Sequence, residues 1–400
     1  MKQVFLGGCG GLGTAGPFTF LDGFALTSST RQGRENLILE AGTLSNLRVV
    51  ITVAPGGAVT RTYTVWVNGV ATALTCSIGP AATSAEDITH TVAVAAGDLI
   101  TLKHTAAVGA AAANGVFSAV FEATTANRAV WGSQATGAPV LGGPAYGALG
   151  STAENAFPSA TAAGAAVPWA INCTITSFSI RIGPAPGAGK TRTFTIFRNG
   201  VAEASSALVF GAADTVLTVV GLSISVSPQD ELCVESKSTG GPPAAAFSVG
   251  VSYAPSVDGQ WNISGDYRAD YAGGRYAPLN GQTGENVTEN TRQVLAFPAS
   301  AYLGPWFLSG LYVKTNTAPG GANTRTYTLR RNAANSALEV TLSGAATSGS
   351  IAGLIEMQAG DVLDMLQAKS AGAAASARQR WCFGALAPAA RQRTMTGVGL

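Results

Sequence analysis

A fourteen-residue stretch recurs three times along the chain without a gap, at 55–68, 186–199 and 319–332. Its centre reads Thr60-Arg61-Thr62-Tyr63-Thr64, then Thr191-Arg192-Thr193-Phe194-Thr195, then Thr324-Arg325-Thr326-Tyr327-Thr328. The copies start 131 and 133 residues apart. An apolar segment precedes each copy, at 47–53, 178–182 and 311–315, and a later aspartate recurs as Asp98, Asp230 and Asp361. Trp131 and Trp261 lie one period apart, and Pro168-Trp169 is matched to Pro305-Trp306. A period this long is a whole domain, not a solenoid repeat. The expected units are 1–124, 125–255 and 256–388, with a short basic tail at 389–400 that contains Arg391 and Arg393.

Inside the repeat, Pro55-Gly56-Gly57 is turn chemistry. Arg61, Tyr63, Val65 and Val67 then alternate with Thr62, Thr64 and Trp66, the period of a strand. The aromatic and aliphatic members are expected on the core face, with threonines on the other. Asn68-Gly69 and Asn199-Gly200 predict tight two-residue hairpins. Asn332-Ala333 predicts a longer turn or another type. Further strands follow at 89–94, 99–104 and 116–122, and in the third copy at 337–342, 362–368 and 380–386. The one candidate helical turn is 354–358. Short, evenly spaced strands between small-residue turns predict an all-β chain of three jelly-roll-like β-sandwiches.

Composition narrows the function classes. Charged residues are only 12% and the net charge is +2, which lacks the basic stripe of a nucleic-acid binder. No run is apolar enough for a bilayer helix, so no membrane insertion is expected. The apolar run at the N-terminus is too short for a secretion signal. Cys9, Cys76, Cys173, Cys233 and Cys382 are odd in number and lack C-x-x-C spacing, which predicts free thiols and no metal site.

Two motifs mislead. Gly8-Cys9-Gly10-Gly11-Leu12-Gly13 matches a dinucleotide fingerprint, but no helix can follow through Pro17. Gly187-Ala188-Gly189-Lys190-Thr191 resembles the end of a phosphate loop, but Pro184 stands where the first glycine belongs and a strand follows. No cofactor is therefore expected. Nor does the sequence assemble a catalytic set. His90 and His104 fall in strand-like segments without a nucleophile elbow. Glu86-Asp87 and Asp230-Glu231 are adjacent in sequence, so they point to opposite faces. The repeated Asp98, Asp230 and Asp361 are expected to pair with Arg61, Arg192 and Arg325 or to cap turns. Asp266 and Asp270 are calcium candidates in a loop that lacks the alternating acidic pattern. One segment reads as a ligand or interface loop: Trp261, Tyr267, Arg268, Tyr271, Arg275 and Tyr276, among glycines.

The run A-P-G-x-x-x-T-R-T-[YF]-T, followed by N-G and later G-D, resembles tandem modules of tailed-bacteriophage virion proteins. It is similar to jelly-roll units of head fibres, decoration proteins and tail appendages. Gln229 replaces the glycine before the aspartate, and Ala333 replaces the hairpin glycine. The resemblance implies a structural, non-enzymatic protein on the particle, assembled in the host cytoplasm and released by lysis. Its implied partners are capsid or tail proteins and further copies of the chain, a trimer being favoured. A receptor- or glycan-binding adhesin, with a host glycan as ligand, is the alternative. A rod and a closed pseudo-trimer of domains both remain open at this point.

Overall fold

The structure is a computed structural model. It describes residues 1–12, 18–19, 21, 23–26, 31, 34–135, 144–149, 159–267, 275–277, 279, 295–296, 306–358, 360–376 and 378–387. The described chain is nearly all strand, arranged in six antiparallel-dominated sheets. No strand pairing among the described residues crosses residues 124–128 or 256–259.

Each pair of sheets has one topology. In the first span, Lys2–Leu12, Ala113–Ala123, Gly42–Ile51 and Ser84–Val94 lie side by side. Facing them are Phe18–Thr19 and Asn36–Leu37 beside Leu99–Ala106, then Arg61–Val67 and Val70–Ile78. In chain order that is first-eighth-third-sixth against second-seventh-fourth-fifth, the jelly roll. The second span repeats it with Ala129–Ala135, Ala246–Pro255, Cys173–Gly183 and Val216–Val226, and the third with Gln260–Tyr267, Gln379–Leu386, Trp306–Thr315 and Ser348–Met357.

The repeated motif is the fourth strand. Tyr63, Val65, Phe194, Ile196, Tyr327 and Leu329 are fully buried, as their alternation requires. The repeated arginines share that inward face and are also buried, at 0% exposure for Arg61, 1% for Arg192 and 2% for Arg325. Each sits at the strand's start, where the guanidinium reaches the loop before the eighth strand. Arg61 donates to the carbonyls of Ala111 and Leu12, Arg192 to that of Pro243 and Arg325 to that of Ala374. The threonines of the outer face form hydroxyl pairs with the neighbouring strands, as in Thr191 with Thr239 at 2.6 Å.

Three expectations need correction. The turn after the third copy is the same two-residue turn as the others. Asn332 and Ala333 have φ of 51° and 64°, against 50° and 82° for Asn68 and Gly69. Arg331 pairs with Ala334 just as Val67 pairs with Val70. The candidate helical turn at 354–358 is instead the end of the strand Ser348–Met357, held by pairing to Trp306–Thr315. Trp306 is not the counterpart of Trp169. Pro168 lies opposite Glu231, directly after Asp230, and the residue opposite the matching Val362 is Ala296. Trp306 opens the third strand of its domain, the place held by Cys173.

Candidate functional site

The aspartates bond to the hairpin asparagines, not to the repeated arginines. Asn68 donates through Nδ2 to Asp98 at 2.7 Å and accepts from Leu99 N at 3.0 Å, while Asp98 also accepts from Ala95 N. Asn199 with Asp230, and Asn332 with Asp361, repeat all three bonds. This lock ties the hairpin after the fourth strand to the turn before the seventh. Both partners recur in phase in the sequence, so the pairing was detectable there.

The first two residues of the seventh strand, directly after each aspartate, pair with a short strap from earlier in the domain: Asn36–Leu37, Val167–Pro168 and Leu295–Ala296. Each strap docks on the next domain. Asn36–Leu37 packs on Ala129–Ala135 and Ala246–Pro255. Val167–Pro168 packs on Gln260–Tyr267, Gln379–Leu386 and Trp306–Thr315. Leu295–Ala296 packs on Lys2–Leu12, Ala113–Ala123 and Gly42–Ile51 of the first domain. The same surface is thus used three times, head to tail, and the third contact returns to the start. A heterologous interface that closes makes a ring, so the domains form a pseudo-threefold ring rather than a rod.

Small residues let the straps approach. A Cβ on Gly250 would sit 2.9 Å from the Leu37 carbonyl oxygen and 3.1 Å from Leu39, and one on Gly132 would sit 3.2 Å from that carbonyl. At the corresponding Gly384, a Cβ would lie 3.0 Å from Ile171. Replacing Gly250 by Leu is therefore expected to cost about 1–3 kcal/mol through overpacking and to open the first seam. Urea unfolding reads the cost, and small-angle scattering reads the expansion. Gly79, where a Cβ meets nothing within 4 Å, is the control. If Gly250→Leu behaves like Gly79→Ala, the seam does not exist in solution.

The first strands converge where the ring closes. Val4 and Leu6 share one apolar cluster with Trp131, Trp261 and Ile263. Gln3 reaches the edge strand Ala129–Ala135, donating to the Val130 carbonyl at 2.6 Å and accepting from its N–H at 3.0 Å. That satisfies an edge that would otherwise be open to pairing. Across the second seam, Ala170 N donates to Asn262 Oδ1 at 2.8 Å, and Lys314 pairs with Glu231.

The sequence-predicted loop comes apart in this frame. Trp261 is not on a loop. It lies in the strand Gln260–Tyr267 at 1% exposure, with its ring edge-on to Trp306 at 5.2 Å. The strand's alternation turned it inward. Tyr267 ends that strand, while Arg275 and Tyr276 belong to Arg275–Ala277 on the opposite sheet. Arg268 and Tyr271 lie outside the described residues, as does Asp270. Asp266 is taken by a cation of its own chain, since both carboxylate oxygens accept from Arg378. That arginine also donates to the Gly164 carbonyl of the second domain at 2.8 Å.

His104, Asp87 and the cysteines are built into the fold. His104 is buried against Arg61, with Nε2 2.7 Å from the guanidinium. Burial, then the Arg61 charge, lowers its pKa to about 4. Burial raises the Asp87 carboxyl, but backbone N–H groups of Thr75, His90 and Thr89 and the His90 ring outweigh it and hold the group at about 2. All five cysteines are buried and none is in a disulfide, and burial pushes the thiols of Cys76, Cys173 and Cys233 up to about 12. They are thus protonated and poor nucleophiles at neutral pH. Among the described residues, no group of His, Cys, Asp or Glu is placed to hold a metal ion.

No family model and no curated protein matches the chain. Among solved structures it is similar to the M60 catalytic domain with two CBM51 domains of Clostridium perfringens ZmpB. That likeness has 8% identity and a TM-score of 0.18, and covers 86% of this chain but only 32% of that one. It is also similar to the structure of infectious bursal disease virus, Gx strain, with 10% identity and a TM-score of 0.17, over 100% of this chain and 82% of that one. Both scores are too low to carry a functional argument, so function is argued from the seams.

Proposed function

We propose that the chain is a structural, non-enzymatic virion protein exposed on the particle, as a head decoration, a head fibre subunit or a tail appendage. The closed head-to-tail ring of jelly rolls carries this reading. Such a ring places three similar surfaces around one axis, so one chain can sit where a trimer would on a threefold position of a larger assembly. The low charge supports it too, since close-packed protein faces avoid unpaired charge. The partners under this reading are capsid or tail proteins, and its units are the repeats 1–124, 125–255 and 256–388.

Immunogold labelling of particles from a lysate of the source tests the proposal. Label on capsid faces or vertices, or along the tail, is the expected result. Particles without label, with gold on cell surfaces instead, would overturn it.

A further inference from the structure

The second seam holds a cavity of about 230 Å³ between the second and third domains. Trp169 and Gln229 line it from one side, and Ser309, Tyr312, Ser350 and Ile351 from the other. Among the described residues, no acidic, basic or histidine side chain lines it. Burial holds the Tyr312 phenol above its ordinary range, so it stays a neutral hydroxyl.

Gln229 is the unusual member. It stands in the turn before the seventh strand, where the other domains have Gly97 and Gly360 at φ of 94° and 85°. Gln229 adopts φ of 74°, a conformation that disfavours side chains. The turn does not require it. Gly97 N donates to the Ile38 carbonyl at 2.7 Å, and Gln229 N makes the matching bond to the Trp169 carbonyl at 2.7 Å. At Gly97 an added Cβ would touch nothing within 4 Å, so no packing is gained by a side chain at that place in the turn. A glutamine held in a strained backbone without structural need, beside a cavity, is the pattern of a functional site.

We infer that this cavity binds a neutral saccharide, one pyranose ring deep, with the Gln229 amide and the Ser309, Ser350 and Tyr312 hydroxyls as its hydrogen-bonding groups. The lining offers the half-buried Tyr312 ring, the half-buried Ile351 and several uncharged donors and acceptors, with Trp169 fully buried behind them. That suits a polyol with one apolar face and excludes phosphates, which need cations or a helix N-terminus. The volume lies below that of drug-sized pockets, which matches a ligand of one ring. The inference goes beyond the virion reading, and either can fail without the other.

Saturation-transfer NMR on the full chain tests it. The probes are the methyl glycosides of glucose, galactose, mannose and N-acetylglucosamine. One of them should bind with a Kd of about 1 mM, the strength expected of so small a ligand. Gln229→Gly should weaken that binding at least about tenfold, while its unfolding midpoint stays level or rises because the turn is relieved. Ala352→Trp, at an exposed position on the cavity rim, should block binding without unfolding the chain. No saturation by any probe, or equal saturation in both variants, would overturn the inference.

Discussion

Replacing Asp266 by Ala should destabilise the protein by about 3–5 kcal/mol, among the largest effects of any single change here. Asp266 is fully buried and Arg378 nearly so, with Nε donating to Oδ1 at 2.7 Å and the second nitrogen engaging Oδ2. Arg380 lies beside them, buried, and donates to the carbonyls of Ala163 at 2.9 Å and Ala166 at 2.5 Å. Burial, then the neighbouring Arg378 charge, lowers the Arg380 pKa to about 10, and Asp266 works against that drop. Without the carboxylate, two guanidinium groups share one dry site at the second seam. The gross cost is that of uncompensated charge, not of one lost contact. Two further variants separate these terms. Arg378→Met alone should cost nearly as much, because it strands the carboxylate. Asp266→Leu combined with Arg378→Met should recover most of the loss, since an apolar pair replaces an ion pair at little net cost. Urea unfolding of all three completes the cycle. If the double variant is no more stable than either single one, the loss comes from seam geometry and not from buried charge.

Much of the fold was readable because its signals are local. Turn residues at Pro55-Gly56-Gly57 and strand alternation through Tyr63 and Val65 act over a few residues, and repetition made them firm. The seams were not readable. Gly132, Gly250 and Gly384 look like any strand glycine until a neighbouring strap lies on them. The straps are only two residues long, too short for periodicity to mark. The dinucleotide-like glycines, discounted from the sequence because no helix can follow them, are a different case. They lie mostly within the strand Lys2–Leu12, not in a loop after it. Just ahead of them, a Cβ on Gly7 would fall 2.1 Å from the Phe117 ring and 2.7 Å from the Leu21 carbonyl. The tyrosine-rich segment was picked by composition alone, and composition says nothing about facing. Trp261 illustrates this, since one step of strand alternation decides between solvent and core. In the sequence Gln229 stands only as a departure from the glycine of the other two copies. Its meaning appears only with its φ and the cavity beside it.

Acid should weaken the first domain through His104. Arg61 can only donate, so Nε2 of His104 must accept, and the ring proton sits on Nδ1, which has no partner in the structure. Charging this ring would bury a second cation beside Arg61 and next to the Tyr63 ring, 5.2 Å away. The folded pKa of about 4 lies below the ordinary 6.5 of an unfolded histidine. In the interval between them the unfolded chain binds a proton that the folded chain refuses. Stability therefore rises with pH across that window, is complete above 6.5, and is lost as pH falls to about 4. At about 1.4 kcal/mol for each pH unit of the gap, the change is about 3 kcal/mol. Asp87 acts later, since its stabilisation is lost only between its ordinary 3.8 and about 2. Glu35 acts in the opposite sense, because burial raises its pKa. The difference between the wild-type chain and His104→Gln removes both contributions, and glutamine can still accept from Arg61. Plotted against pH, that difference should fall by about 3 kcal/mol from pH 7 to 4. Proton NMR of the histidine ring checks the cause directly, since His104 should stay neutral until the pH nears about 4. Parallel stability curves for the two proteins, or a His104 that titrates like a free imidazole, would show that Arg61 and burial do not hold the ring neutral.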